Sequence, residues 1–126
     1  MIIDSSAIIA VVRGETERHT FLEVMKRADS LAVGAPTALE SAMVLGPDSL
    51  PMLRAFTHGL GIEVAPFVDT HFVAAHDAFE RYGKGGGSKA QLNFGDCMSY
   101  ALARVSGEPL LFKGDDFTHT DITAAI

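Results

Sequence analysis

The chain opens Met1-Ile2-Ile3-Asp4-Ser5-Ser6, a short apolar run that stops at an aspartate. Three similar runs follow, Leu31-Ala32-Val33, Ile62-Glu63-Val64 and Leu110-Leu111-Phe112, and all four are candidate strands. Helical patterns lie between them. The clearest extends from about Phe94 to Val105, where Phe94, Cys97, Met98, Ala101, Leu102 and Val105 recur at steps of three and four and predict one buried stripe. Asn93 suits its N-cap and Gly107 its C-terminal stop. Pro36 can start a helix carrying Leu39, Ala42 and Met43, and Val68 to Tyr82 carries Phe72, Ala75, Ala78 and Phe79; both read as amphipathic. Strands alternating with helices need right-handed crossovers in a parallel sheet. The expected fold is therefore α/β, a three-layer α/β/α sandwich with a short parallel sheet and its site outside the carboxyl ends of the strands.

A length of 126 residues at 48% hydrophobic content fits one domain, residues 1–126, able to bury a core without disulfides. Cys97 is the single cysteine, which excludes an internal disulfide and a CxxC zinc site and fits a reducing compartment, so a cytoplasmic location is expected. The N-terminus has no basic leader region, and the early apolar run Ala7 to Val12 is too short to span a bilayer, so neither export nor membrane anchoring is expected. A formal net charge of −6 gives no overall positive field to draw the protein onto nucleic acid. Several carboxylates sharing one pocket and neutralised there by divalent cations would leave the remaining surface nearer neutral.

Most of the acidic residues sit among polar neighbours, as Glu15, Glu17 and Glu23 do, and read as a solvated face. A few do not. Asp4 ends the first strand; Glu40 lies between Ala38-Leu39 and Ser41-Ala42-Met43; Asp96 lies between Phe94-Gly95 and Cys97-Met98; Asp115 and Asp116 follow Leu110-Leu111-Phe112. Ionised carboxylates are rarely set beside core segments unless something pairs with them. Asp4 and Asp115 stand just past strand ends, where open α/β sheets place their ligands. Asp96 takes the N3 position of its helix, where the helix dipole favours negative charge. Glu40 falls in the first turns of the helix after the second strand, so all four can converge on one edge of the sheet.

Carboxylates about 4 Å apart repel by roughly 4 kcal/mol at an effective dielectric of 20, so a converged cluster calls for a cation. Oxygen donors without His or Cys suit Mg²⁺ or Mn²⁺ and disfavour zinc. Such ions activate water and stabilise a leaving oxygen, which points to phosphodiester hydrolysis. The same positions also admit structural roles: Asp4 as a helix cap, Glu40 paired with an arginine, and Asp115-Asp116 as a plain turn.

The order Asp4-Ser5-Ser6, then Glu40, then Asn93-Phe94-Gly95-Asp96-Cys97, then Leu111-Phe112-Lys113-Gly114-Asp115-Asp116-Phe117 resembles the PIN-domain family, in its VapC branch, over nearly the whole chain. The closing Phe117-Thr118-His119-Thr120-Asp121-Ile122 is similar to that branch too. The resemblance implies a Mg²⁺-dependent endoribonuclease, with Mn²⁺ as a substitute, acting as the toxin of a type II toxin–antitoxin pair. It implies Asp4 and Asp96 as direct metal ligands, Glu40 and Asp115 as residues that orient waters on the ion, Asp116 as a supporting neighbour, and Ser6 as a holder of the scissile phosphate or of a carboxylate. The chain departs from the family's Thr-x-Asp pattern by placing Lys113 before Gly114-Asp115. The resemblance further implies an RNA substrate, a VapB-like antitoxin that places an Arg or Lys in the acidic pocket, and a homodimer.

The stretch Gly83 to Lys89 reads as a mobile loop: it lacks the Gly-Lys-Ser/Thr ending of a phosphate loop and follows a helix rather than a strand. Lys84 and Lys89 on it can contact RNA phosphates. Cys97 reads as core, since the neighbouring Asp96 raises its thiol pKa. His71 and His76 are five apart and do not align as a metal pair. Met25, Met43 and Met98 read as core fillers, and Tyr100 as a satisfied polar edge residue. Two rival functions remain: a phosphatase or phosphotransfer domain using Asp4 as nucleophile, and a non-enzymatic binding module whose acidic pocket receives basic side chains.

Overall fold

The computed structural model describes residues 1–126. Ten elements follow one another: β1 Ile2–Ile3, α1 Ser5–Arg13, α2 Arg18–Arg27, β2 Leu31–Gly34, α3 Ala35–Leu45, α4 Leu50–Leu60, β3 Ile62–Ala65, α5 Asp69–Tyr82, α6 Phe94–Ser106 and β4 Leu110–Leu111. All strand pairs are parallel and the order is β3-β2-β1-β4. The chain thus builds outward from β1 through β2 to β3, then returns to the other side of β1. The switch point falls between β1 and β4, where the Asp4 N–H donates to the Leu111 carbonyl at 2.9 Å.

Strand alternation divides the core in two. Ile3, Leu31, Val33 and Leu111 face a cluster with Ile8 and Val11 of α1, Phe21 and Met25 of α2, and Leu53 of α4. Ile2 and Leu110 face the opposite cluster, with Ala75 and Ala78 of α5 and Tyr100, Ala101 and Leu102 of α6. These two cores on either side of one sheet make the expected α/β/α sandwich. No helix is long and apolar enough to cross a membrane.

The helix ends follow their sequence signals. Asn93 and Asp96 exchange reciprocal hydrogen bonds at 2.9 Å at the start of α6, and Gly107 closes it at φ +70°. Helices α1, α2 and α4 were not among the expected elements. In α1 the buried residues Ala7, Ile8, Ala10 and Val11 have helical spacing, but the surrounding side chains are almost all apolar and hide it.

The buried stripes also need correction. On α6, Phe94 is 79% exposed and Val105 also lies outside; on α3, Met43 is 73% exposed and Leu39 is exposed; on α5, Phe72 and Phe79 point outward while Ala75 and Ala78 pack inward. On α5 the small residues Ala75 and Ala78 face α6, where the larger Tyr100 and Leu102 fill the contact. Met25 does fill the core, but Met43 does not.

Tyr100 is fully buried, and its hydroxyl donates to Asp121 at 2.8 Å, while Arg81 and Arg104 each reach Asp121 at 3.3 Å. It is a satisfied polar residue that ties the C-terminal segment to α5 and α6. Tyr100→Phe is expected to lower stability by about 1–2 kcal/mol, measurable by denaturant titration, because it removes the hydrogen bond to Asp121 and the longer one accepted from Arg81 at 3.4 Å, and leaves the arginine–Asp121 pairs in place.

Candidate functional site

Asp4 lies at the switch point and is only 3% exposed. Its Oδ2 accepts from the Ser6 N–H at 3.0 Å and the Ser6 hydroxyl at 2.6 Å; its Oδ1 accepts from the Ser99 hydroxyl at 2.6 Å. Asp4 therefore does cap α1, as one structural alternative had it, but capping engages only one of its oxygens. A carboxylate offers about four acceptor positions, so one remains, on Oδ1. A buried carboxylate with three positions filled is a poor fit to the covalent nucleophile of the phosphotransfer alternative.

Ser6 is the holder of a carboxylate. Its one hydroxyl proton goes to Asp4, and the same oxygen accepts the Lys113 N–H at 3.0 Å. The expectation that Ser6 contacts a phosphate is corrected on that ground, because no proton is left for a second acceptor. The contact also fixes the turn after β4 to the first turn of α1.

Asp96, 8% exposed, accepts the Asn93 N–H through Oδ2. Burial pushes its carboxyl up to about 6, and the charges of Asp116, Asp4 and Glu40 push in the same direction, while the Asn93 hydrogen bond opposes them. Four carboxylates from the ends of β1 and β4 and from α3 and α6 thus share one field. The member contributed by the turn after β4 is Asp116. Asp115, the expected fourth acid, is exposed beside it, and its carbonyl accepts from the N–H and hydroxyl of Thr118 in a turn. Gly114, left-handed at φ +95°, precedes the pair, and both aspartates are exposed.

Glu40 pairs with no arginine. Its carboxylate lies against the backbone of Gly95: a Cβ built there would stand 2.7 Å from the Glu40 carboxyl carbon and 2.9 Å from Oε1. Glycine at this position is what lets α3 deliver a carboxylate to the first turn of α6.

No three His, Cys, Asp or Glu side chains are grouped tightly enough to enclose one ion. Mg²⁺ keeps several waters and is commonly held by one or two carboxylates, so an all-oxygen set with an open position on Asp4 and a strained charge on Asp96 fits it. Cys97 is buried, its thiol pushed up by burial and then by Asp96, as expected of a core residue.

Lys113, which stands where the family pattern has Thr, pairs with Glu15 at 2.7 Å and Glu17 at 3.0 Å. Those two glutamates, expected on a solvated face, are half-buried partners that hold the lysine on the α1–α2 side. Lys84 lines a groove of about 450 Å³ with Phe72, Phe79, Asn93 and Phe94, beside the start of α6. Lys89 is exposed on the same loop, whose ends are joined by the Lys84 N–H to Leu92 carbonyl bond at 2.9 Å.

The fold and site together define a three-layer α/β/α protein with acids gathered at the switch point of a parallel sheet. The PIN domain model matches residues 1–122, and the chain belongs to the PIN domain family. It is 41% identical to Ribonuclease VapC42 of Mycobacterium tuberculosis, with 99% of this chain and 98% of that one covered, and 40% identical to Ribonuclease VapC36 of the same organism, with 97% and 91% covered. Among solved structures, it superposes on M. tuberculosis VapC20, a sarcin-ricin loop cleaving toxin, with a TM-score of 0.75 at 15% identity, covering 97% and 95%. A toxin–antitoxin complex from Klebsiella pneumoniae matches with a TM-score of 0.71 at 16% identity, covering 95% and 92%.

Proposed function

We propose that residues 1–126 form one Mg²⁺-dependent endoribonuclease domain, the toxin of a VapBC-type pair acting in the cytoplasm. The observation that carries this reading is the burial of Asp4 and Asp96 at the switch point, with the Glu40 carboxylate held against Gly95, in a chain about 40% identical over its length to named VapC ribonucleases. Asp4 and Asp96 would hold the ion, with Glu40 and Asp116 positioning its waters; Mn²⁺ can replace Mg²⁺. The ion, when bound, supplies activation of the attacking water and charge stabilisation at the phosphodiester. The protein's own part is to keep Asp4 fixed through Ser6 and Ser99 and to hold Glu40 over Gly95. With four of the acids neutralised at the site, the net charge of −6 leaves a surface closer to neutral, which removes the objection to an RNA substrate. Lys84, beside the start of α6, and Lys89, exposed on the same loop, would meet its backbone.

The partners we infer are a VapB-like antitoxin and a second copy of the chain. Support comes from the apolar border of the site, where exposed Leu39, Met43 and Phe94 line a groove of about 850 Å³ that also contains Glu40. The purified protein is expected to cleave a mixed RNA pool with Mg²⁺ and to stop when a chelator is added. Folded protein that cleaves under neither condition overturns the ribonuclease reading.

A further inference from the structure

Ser99 is the most unusual hydroxyl in the molecule. It lies in the interior of α6 at 1% exposure, one turn beyond Asp96. A serine inside a helix usually bonds back to the carbonyl four residues earlier. Ser41 does so to Thr37 at 2.8 Å, and Ser106 to Leu102 at 2.7 Å. Ser99 instead donates across 95 residues of sequence to Asp4 Oδ1 at 2.6 Å. Behind it, the Thr37 hydroxyl lies 3.3 Å from the Ser99 hydroxyl, and both are buried. Each hydroxyl has one proton. Since the Ser99 proton goes to Asp4, the contact with Thr37 requires Thr37 to donate, and the direction is fixed as Thr37 to Ser99 to Asp4.

Helix capping does not need this relay, because Asp4 caps α1 through Oδ2 alone. The relay acts on the other oxygen. With Ser6 on both positions of Oδ2 and Ser99 on one of Oδ1, rotation of the carboxylate is blocked from both ends and a single acceptor position is left. We propose that Thr37 and Ser99 are positioning residues that orient Asp4 so that Oδ1 meets a divalent cation through that one position. This rests on the metal-site reading above and adds two residues from α3 and α6 to it. The same helices deliver Glu40 and Asp96, so the relay also sets Asp4 in register with the other acids.

The test is Mn²⁺ titration of the metal-free protein by calorimetry, with Mg²⁺ dependence of RNA cleavage and melting in chelator measured alongside. Outer-shell partners of metal ligands typically contribute 10–100-fold in affinity, so Ser99→Ala is expected to weaken Mn²⁺ binding by roughly 10-fold or more. The Mg²⁺ needed for half-maximal cleavage should rise in parallel. Ser99→Thr, which keeps the donor, should restore binding, and Thr37→Val, which keeps the shape and removes the outer donor, should shift it in the same direction by less. If Ser99→Ala is poorly folded, Thr37→Val decides. Mn²⁺ affinity in a folded variant within about two-fold of wild type, against the 10-fold expected, overturns the relay. Wild type that binds Mn²⁺ yet cleaves no RNA overturns the ribonuclease reading while the binding series still tests the relay. Wild type that binds no Mn²⁺ overturns both.

Discussion

Asp96→Asn is expected to lower RNA cleavage by more than about 100-fold, beyond what loss of an outer-shell partner costs, and at the same time to stabilise the metal-free protein. The two effects have one cause. Burial and the charges of Asp116, Asp4 and Glu40 raise the Asp96 carboxyl to about 6. A carboxyl whose folded pKa lies above its unfolded value contributes stability that is complete below the unfolded pKa, near 4, and is lost as the pH rises through about 6. At pH 7 the ionised group therefore burdens the fold by about 3 kcal/mol relative to its protonated form. Asparagine keeps an oxygen to accept the Asn93 N–H and carries no charge. Denaturant titrations in chelator between pH 4 and 7 should show the wild-type protein losing stability relative to Asp96→Asn as pH rises, with the variant the more stable at pH 7. Saturating Mg²⁺ should reverse that order, because the ion stabilises only the chain that binds it. A variant that is less stable at every pH would make Asp96 a structural cap and remove the basis for the mechanism.

The acids of the site were legible because each sits beside an apolar run where a charge has no ordinary reason to be. The choice between Asp115 and Asp116 was not legible. The two are adjacent in one turn, and a one-residue change of phase in a turn leaves no periodic trace in the sequence. Ser99 carried a faint signal, three residues past Asp96 on the same helix face, but nothing in the sequence reveals that its partner is Asp4. The strands and α6 could be read from pattern and caps. Yet periodicity shows which side chains share a face, not whether another element covers that face, which is why Phe94, Met43 and Phe72 were expected inside and lie outside. The exposure of Phe94 and Met43 beside Glu40 is a property of the assembled surface.

Gly95→Ala should separate activity from stability in the opposite sense to an ordinary helix substitution. Gly95 is the second residue of α6 and has no left-handed backbone requirement. By helix propensity alone, alanine there stabilises by up to about 1 kcal/mol. The new Cβ, however, falls on the Glu40 carboxylate, and Glu40 is the flexible end that must move. A displacement of about 1 Å in a catalytic group costs on the order of 100-fold in rate, so cleavage at saturating Mg²⁺ should fall by about that factor while the melting temperature changes little. Glu40→Gln, which removes the charge without crowding Gly95, should lose activity to a similar extent and leave Gly95→Ala no further effect in the double variant, since both act through the same carboxylate. Full activity in Gly95→Ala would mean that Glu40 works from another position. Additive losses in the double variant would mean that the first turn of α6, and not the carboxylate above it, is what the substitution disturbs.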